Sequence, residues 1–492
     1  MPGDIPAKLV KYFAAYLAEP LTDIFNTSLL RGEYPQIFKY EVCTPVPKCF
    51  PPKKVEKMRN ISGLLNFDGI FEKMLSELII SDMQKTMDPT QFGNRNGISI
   101  QHYLVKLINR ILTAVDRTSQ KESFAVVASM IDWKDAFLRQ CPELGVLSFQ
   151  KNGVRASLLP LLVNFFQDRK MSVKWHGCRS TTRSINGGGP QGATMGVLEY
   201  LAQSNNNADW VSEEDRFKFF DDLTILEVVN LLTIGISSFN FKFQVASDIP
   251  CHGQYIPPEN LQTQDNLNKI QEWTKKQKMM INKQKSKIMI FNFSKNNKFT
   301  TRLKIDEEEL EVINQTKLLG TILTDDLKWK ENTDFLIKKA YKRMQLLNKA
   351  SSFSTNKEDL KQIYKTFVRS ILEQSSVVWH SSLTEEDKDN LERVQKSALR
   401  VILNDSKISY EKALLKLDID SLFERRESHC EKFANKCLKN DLTNNWFKKN
   451  EKKHHMNTRK TAEFKVTKAR TERLKKSAIP MMEKILNSNS NK

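Results

Sequence analysis

Residues 217–226, FKFFDDLTIL, place two adjacent aspartates inside an apolar run. The apolar residues on either side predict two strands joined by a tight turn, with Asp221 and Asp222 at that turn. Aspartate is a common turn residue, so the pair alone is a weak indication of function. Two like charges buried without a counter-charge would each destabilise the fold by several kcal/mol. If the pair is buried, a cation has to neutralise it.

An earlier stretch supplies a third carboxylate. Residues 123–132, SFAVVASMID, are rich in apolar and β-branched side chains and predict a buried strand that ends on Asp132. If this strand end meets the hairpin tip, divalent cations can neutralise the three carboxylates. Two Mg²⁺ about 4 Å apart can hold the attacking and leaving oxygens of a phosphoryl transfer. Mg²⁺ prefers carboxylate oxygens and phosphates to imidazole or thiolate ligands, which suits a chain with few histidines.

The charge balance predicts a polyanionic partner. The 492 residues include 77 Lys and Arg against 58 Asp and Glu, a net charge of +19. Residues 448–476 hold twelve of these cations against three glutamates, so +9 of the surplus lies in a basic tail. The remaining surplus is spread over the body of the chain and favours nucleic acid first and an anionic membrane surface second. The tail is typical of a nuclear targeting signal, of a nucleic-acid-binding segment or of a solvated run of charge.

Several other classes of protein are disfavoured. The seven cysteines form no CxxC pair, which argues against a zinc knuckle and against a disulfide framework and fits a reducing compartment. The chain does not open with a basic region followed by an apolar segment, and no run approaches about 18 apolar residues. We therefore expect an intracellular protein, nuclear or cytoplasmic, with no membrane span.

The order of elements predicts the fold class. Strands and helices are mixed up to about residue 330, after which every segment has a helical pattern. This order predicts an α+β domain with a helical appendage. The pattern also predicts a helix beginning at WKDAF, residues 133–137, and a disordered end over LNSNSNK, residues 486–492.

Taken together, the motifs resemble a known family. Asp132 within MIDWKDAF, GGGPQG at 187–192 and FFDD at 219–222 have the order and spacing of the reverse transcriptase palm. Residues 20–425 resemble the non-LTR (LINE-type) retrotransposon branch of that family in five further blocks: TPVPK ending at Lys48, RNIS at 59–62, QFGNRNGIS at 91–99, INKQKSK at 281–287 and LLGTILTDDLKW at 318–329. Each block alone is weak, whereas the full series in order is specific.

The resemblance implies a right-hand polymerase, with fingers and a palm built of an antiparallel sheet plus helices, followed by an all-helical thumb. We expect N-terminal helices and fingers over residues 1–125 and the palm over 126–330, with fingers elements interleaved. The thumb is expected over 331–425, and a basic, partly disordered tail over 426–492. No room is left upstream for an endonuclease, so the sequence predicts the polymerase portion of a longer element.

The resemblance assigns both metal ions to three aspartates. Asp132, Asp221 and Asp222 match the family's metal ligands and catalytic residues. Asp135 is expected to be a helix N-terminal or surface charge. A second pair, Asp325 and Asp326 in TDDLKW, has a polar Thr before it and no strand-end carboxylate partner in the family pattern, so it is predicted to be a solvated turn.

Two further residues are implied to contact the incoming nucleotide. Phe137 matches the aromatic residue beneath the sugar, where a bulky ring leaves no room for a 2′-hydroxyl and favours dNTPs over NTPs. Without the family context, Phe137 is an ordinary core residue. Gln191 matches the residue beside the sugar. Gly189, Pro190 and Gly192 are the loop residues that surround it. The loop could also be merely flexible, since its glycines permit unusual backbone angles.

Three cations complete the implied site. Lys48 and Arg59 match fingers residues that hold the triphosphate, where positive charge offsets the charge that develops on pyrophosphate. Each is also a typical surface charge. Lys285 matches the lysine proposed to protonate pyrophosphate, and Lys283 and Lys287 are close alternatives.

The resemblance therefore implies an RNA-directed DNA polymerase that adds dNTPs to a primer 3′-OH on an RNA template, with two Mg²⁺ or substituting Mn²⁺. The alternative is a catalytically inactive, domesticated or degenerate nucleic-acid-binding relic. It is motivated by departures from the family: Leu138 replaces the second Asp of AFD, RNIS replaces RPIS, and the segment after PQG lacks a proline and becomes polar early.

Overall fold

A computed structural model describes residues 4–48, 51, 54–55, 58–119, 122–185, 187–232, 240–244, 250–294, 298–353, 355–450 and 462–489. The α-helices are α1 (Ala7–Tyr12), α2 (Ala14–Arg31), α3 (Asn66–Met83), α4 (Ile100–Asp116), α5 (Pro142–Lys151), α6 (Leu159–Phe166), α7 (Thr194–Ser204), α8 (Gln262–Gln277), α9 (Lys330–Ser352), α10 (Lys357–Ile363), α11 (Ser370–Leu372), α12 (Ser376–Trp379), α13 (Glu385–Leu403), α14 (Tyr410–Leu417), α15 (Leu422–Leu438), α16 (Glu472–Lys475) and α17 (Ala478–Asn489).

The strands are mostly short and lie before residue 325. They are β1 (Tyr40–Pro47), β2 (Met58–Gly63), β3 (Phe124–Ile131), β4 (Lys170–Trp175), β5 (Cys178–Arg179), β6 (Arg183–Ser184), β7 (Arg216–Phe219), β8 (Asp222–Asn230), β9 (Asn240–Gln244), β10 (Pro250–Tyr255), β11 (Lys287–Phe291), β12 (Phe299–Thr300), β13 (Lys304–Ile305), β14 (Glu308–Glu309), β15 (Glu311–Ile313), β16 (Gln315–Leu318) and β17 (Thr321–Thr324).

The chain forms two compact units and passes between them several times. The first unit contains residues 1–91, 131–210 and 266–285, and the second contains residues 92–130, 211–265 and 286–492. Because both units are built from segments distant in sequence, neither corresponds to one predicted domain. The predicted boundaries at residues 125, 330 and 425 stay predictions, and α15 spans the last of them.

The first unit is a small sheet with helices. Its strand order is β2-β1-β4-β5, with β6 also on β4; β1 is antiparallel to β2 and parallel to β4. Aromatic side chains link α2, α3 and α6: Phe25 stacks on Phe71 at 4.5 Å, and Tyr34 packs edge-on to Phe165 at 4.9 Å. Such aromatic contacts add stabilisation beyond that of the area they bury.

The second unit is organised by a five-stranded sheet with the order β15-β11-β3-β8-β7. The central strand, β3, buries almost all its side chains, which explains its continuous apolar sequence rather than an alternating one. The amphipathic helix α4 contributes to the same core, together with the apolar faces of the helices that follow residue 330. Trp379 is completely buried there. The predicted α+β class is confirmed.

Two predicted features are wrong. The helix expected from residue 133 is a single 3₁₀ turn, Ala136–Arg139, because Asp135 precedes it at φ 53° and Pro142 starts a separate helix. The end of the chain is not irregular from residue 486, because α17 continues to Asn489. Its apolar residues Ile479, Met482 and Leu486 follow a helical spacing and are buried in the second unit.

Within the described residues, every helix is either too short or too polar to cross a membrane.

Replacing Trp379 by Ala should lower the free energy of unfolding by about 3–5 kcal/mol, because the fully buried ring leaves a cavity. The matched control is Leu415→Ala on α14, where the side chain is 83% exposed and the change should stay within about 0.5 kcal/mol. Denaturant titration followed by far-UV circular dichroism measures both. Equal losses for the two variants would contradict the assigned core.

Candidate active site

The aspartate pair lies at the tip of the β7–β8 hairpin. Phe219 pairs with Asp222, so Phe220 and Asp221 are the two residues of the turn. Phe220 has a φ of 52°, a left-handed conformation that is costly for a bulky residue and often marks a functional turn. Asp221 is exposed and Asp222 is half-buried. The turn thus carries both charges to the hairpin tip rather than into the core.

The strand beside this hairpin is β3. The amide of Leu231, just after β8, donates a 2.7 Å hydrogen bond to the carbonyl oxygen of Ser123, just before β3. The end of β8 therefore adjoins the start of β3, and the two strands run antiparallel. By the same pairing, β3 ends at the edge of the sheet where β8 begins with Asp222. Asp132 is the next residue after β3.

Asp132 has a cation beside it in the first unit. Lys285 Nζ lies 3.5 Å from Asp132 Oδ2, and the side chains are 70% and 32% exposed. The backbone fixes this neighbourhood, because the Asn282 amide donates to the Asp132 carbonyl at 2.8 Å. Lys287, one of the alternatives, instead pairs with Glu311. The role predicted for Lys285 stays a prediction.

The glycine-rich loop is hydrogen-bonded to the segment that carries Phe137. Gly188 N–H donates to the Gln140 carbonyl and Gly189 N–H to the Phe137 carbonyl, both at 2.9 Å. Gly188 has a φ of 82°, and a Cβ there would lie 3.1 Å from the Leu138 carbonyl oxygen. The Phe137 ring is half-buried, with its centroid 5.7 Å from that of Tyr200. The loop is therefore held by backbone hydrogen bonds and close packing, and the Phe137 ring is partly accessible to solvent.

The far end of the loop is hydrogen-bonded to β2. Ser62 N–H on β2 donates to the Gln191 carbonyl at 2.7 Å. Arg59 is exposed three residues earlier on β2, opposite Val46 of β1, and Lys48 is exposed directly after β1. Six of the eight predicted site residues thus belong to the first unit, and Asp221 and Asp222 belong to the second.

Two buried glutamates near the loop were not predicted. Glu72 on α3 accepts a 2.9 Å hydrogen bond from Thr194 N–H at the start of α7, and burial raises its pKa to about 7. Asp68, one turn earlier, has its pKa raised by burial to about 6. Glu199 on α7 is completely buried. Nothing in the local sequence distinguishes these carboxylates from surface charges; only the early polarity after PQG hints at Glu199.

The second aspartate pair forms a turn, as predicted, and 41% of the Asp326 side chain is exposed. The Asp325 and Asp326 turn follows the β16–β17 hairpin and is partly buried. Burial and Asp326 raise the pKa of Asp325. For Asp326, burial is outweighed by hydrogen bonds from Thr324 and the Lys328 backbone, and its pKa is lowered. These protein donors satisfy Asp326 without a metal.

Across the described part of the chain, no three His, Cys, Asp or Glu side chains are grouped closely enough to hold a metal ion. The pKa of Tyr103 on α4 is nevertheless raised, first by burial and then by the negative charge of Asp222. The negative charge of Asp222 therefore acts on the buried Tyr103 hydroxyl.

Comparison with known proteins finds similarity to RNA-directed DNA polymerases of mobile elements. It is 23% identical over 373 residues to a probable RNA-directed DNA polymerase from transposon X-element of Drosophila melanogaster, covering 73% of this chain and 37% of that protein. A polymerase from transposon BS of the same organism is 23% identical over 364 residues, 71% of this chain and 36% of that protein. The chain is related to non-LTR retrotransposon reverse transcriptases. The predicted family is confirmed.

The chain spans little more than a third of the length of these two relatives. Among solved structures, an apo telomerase from Candida tropicalis aligns with 86% of this chain and 70% of its own, at a TM-score of 0.39 and 12% identity. No protein-family model matches the sequence.

A left-handed backbone costs a residue with a Cβ about 1–2 kcal/mol. Gly188→Ala should destabilise the protein by more than this, because the added Cβ also contacts the Leu138 carbonyl oxygen. Gly177→Ala is the matched control: its φ is also 82°, but nothing lies within 4 Å of the added Cβ. Chemical denaturation of both variants isolates the cost of the contact. An equal loss for the two would show that the loop is not tightly fitted at Gly188.

Proposed function

We propose that this chain is an RNA-directed DNA polymerase that extends a primer 3′-OH with dNTPs on an RNA template. The observation that carries the proposal is the FFDD turn at the start of β8. This strand runs antiparallel to β3, and β3 ends directly before Asp132. The kinship with polymerases of mobile elements supports the same function.

The three aspartates Asp132, Asp221 and Asp222 would hold two Mg²⁺, or Mn²⁺ in substitution. The donor set fits, since hard oxygen ligands are what these ions prefer. A cation is already accommodated at Asp132, where the Lys285 ammonium lies 3.5 Å from the carboxylate. When bound, such ions supply activation of the 3′-OH and stabilisation of charge on the phosphates.

The first unit supplies the residues proposed to bind the nucleotide. Lys48 and Arg59, both exposed near one end of the β1–β2 hairpin, would attract the triphosphate. Lys285 would give a proton to the departing pyrophosphate, after exchanging its contact with Asp132 for one with the product. Phe137 and Gln191 would contact the sugar, each held by the backbone hydrogen bonds of the glycine-rich loop.

The template and primer are proposed to bind through their phosphates. The net charge of +19 supplies the attraction. Several exposed cations lie along α9, the first long helix of the predicted thumb: Lys338, Lys342, Arg343 and Lys349. A row of cations on one helix suits a regular polyanion better than a small anionic ligand.

A non-catalytic nucleic-acid-binding relic is the second candidate. It is favoured by the absence, within the described residues, of a side-chain group ready to hold a metal. The same cations would then bind phosphates non-specifically, with an affinity that falls steeply as salt rises.

Asp221→Asn should lower primer extension on an RNA template by about 10³-fold or more, because a proposed metal ligand loses its charge. Binding of the primer–template, measured by fluorescence anisotropy, should be unchanged or tighter. Asp325→Asn is the matched control in the other pair: burial and Asp326 raise the pKa of Asp325, so a neutral amide suits the site and extension should persist. Binding without any extension by the folded wild-type chain would support the relic.

Phe137→Ala should increase incorporation of NTPs relative to dNTPs by about 10–200-fold, since opening a pocket next to the sugar changes discrimination by ~1–3 kcal/mol. Leu138→Ala is the control, because the neighbouring side chain is 56% exposed and should not affect sugar choice. Single-nucleotide incorporation with paired dNTP and NTP series measures the ratio. Unchanged selectivity with unchanged stability would remove Phe137 from the sugar site.

A further inference from the structure

Glu199 is a buried carboxylate without a hydrogen-bond partner. It lies on α7 with no exposed surface, and neither carboxylate oxygen has a hydrogen-bond partner among the described residues. Burial raises its pKa from 4.5 to about 8. A charged carboxylate in such a place would destabilise the unit strongly, so the arrangement requires either a proton or a counter-charge.

The neighbouring oxygen is also an acceptor without a donor. Gln140 Oε1 is buried and has no hydrogen-bond partner within the described chain. A Cβ placed on Gly189 would lie 1.9 Å from Gln140 Oε1 and 3.2 Å from Glu199 Oε2. Both oxygens therefore lie close to the same point on the glycine-rich loop. A single proton on Glu199 would convert two competing acceptors into a donor and an acceptor.

The remaining atoms of Gln140 hold the loop. Its carbonyl oxygen accepts from Gly188 N–H at 2.9 Å, and its Nε2 donates to the Gly196 carbonyl of α7 at 2.8 Å. Gly189 N–H donates to the Phe137 carbonyl at the other side of the 3₁₀ turn. Gln140 thus joins the loop, the turn and α7. Whatever fixes the Gln140 amide also fixes the segment that leads to Gln191.

We propose that Glu199 is a positioning residue that stays protonated and donates to Gln140 Oε1, holding the loop 187–192 in the conformation that binds the nucleotide. The proposal rests on the proposed polymerase function. A further ligand has little room beside Glu199, because a Cβ on Gly145 of α5 would lie 2.7 Å from Oε1 and one on Gly189 would lie 3.2 Å from Oε2.

Among the described residues, no counter-charge contributes to the pKa of Glu199. The elements packed against α7 are α3, α5 and the 3₁₀ turn 136–139. These elements carry the charged groups Asp68 and Glu72 on α3, the exposed Glu143 and Lys151 on α5, and Arg139 on the turn. Burial is nevertheless the cause of the raised pKa of Glu199, with no counter-charge to lower it.

The stability of the fold should fall as pH rises, because the pKa of Glu199 is higher in the folded chain. Glu199 ionises near pH 4.5 in the unfolded chain but only near pH 8 in the folded one, so its stabilisation is complete below pH 4.5 and is lost as pH rises to about 8. Above that pH, the charged oxygen should push Gln140 away and loosen the loop. Weaker dNTP binding at high pH is the expected functional effect.

The test compares the wild-type chain with Glu199→Gln and Glu199→Leu. The glutamine keeps a donor of the same shape but cannot ionise, and the leucine fills the space without a donor. Between about pH 6 and about pH 9 the wild-type Tm should fall by roughly 5 °C more than that of E199Q. In primer extension, the KM for dNTP should rise about tenfold for the wild type at high pH and for E199L at every pH, with kcat changed far less.

Two results would overturn the proposal. One is the same dependence of Tm on pH in the wild type and E199Q, which would mean that Glu199 does not lose a proton in this range. The other is an E199L chain with wild-type KM and improved stability, which would make Glu199 a mere defect in the core. If no variant extends a primer, the polymerase proposal fails, and the Tm comparison still decides the protonation of Glu199.

Discussion

The pairing of β3 with β8 is the interaction on which the rest of the second unit depends. β3 is buried along nearly its whole length, and β11 and β8 attach to its two edges. Backbone hydrogen bonds between β8 and β3 fix the position of the hairpin tip relative to the end of β3. A one-residue slip in this register would turn Phe217 out of the core and move the Asp222 side chain to the opposite face of the sheet. Apolar burial thus fixes the position of the polar tip.

The contact between Lys285 and Asp132 is hard to explain by stability. Lys285 is 70% exposed, and such pairs contribute about 0–1 kcal/mol because solvent screens them. The proposed metal site offers a role for this contact, because a weakly held, exposed ammonium could give way to a divalent cation at the carboxylate.

The sequence predicts most of the fold because the decisive signals are local. The apolar run before Asp132, the alternation around FFDD and the long helical periods after residue 330 each specify an element. The 3₁₀ turn before Gln140 depends on the left-handed backbone of Asp135. The spacing of apolar residues in the sequence does not predict this conformation. The site was predicted from motif order, whereas the supporting contacts of Glu72 and Gln140 join residues more than fifty positions apart and have no local signature.

The segment after PQG is where decay of the sequence would be most visible, and its buried polar groups are only partly paired. Gln203 Oε1 and Asn207 Oδ1 are buried without a hydrogen-bond partner among the described residues. Gln203 Nε2 donates to the Gln277 carbonyl at 3.0 Å, and Ser204 Oγ donates to the Tyr200 carbonyl at 2.7 Å. Random polar substitutions in a core leave donors and acceptors unpaired, at about 1–3 kcal/mol each. On α7 the Glu199 carboxylate and Gln203 Oε1 are buried without a partner among the described residues, and the proposed proton on Glu199 would supply one donor.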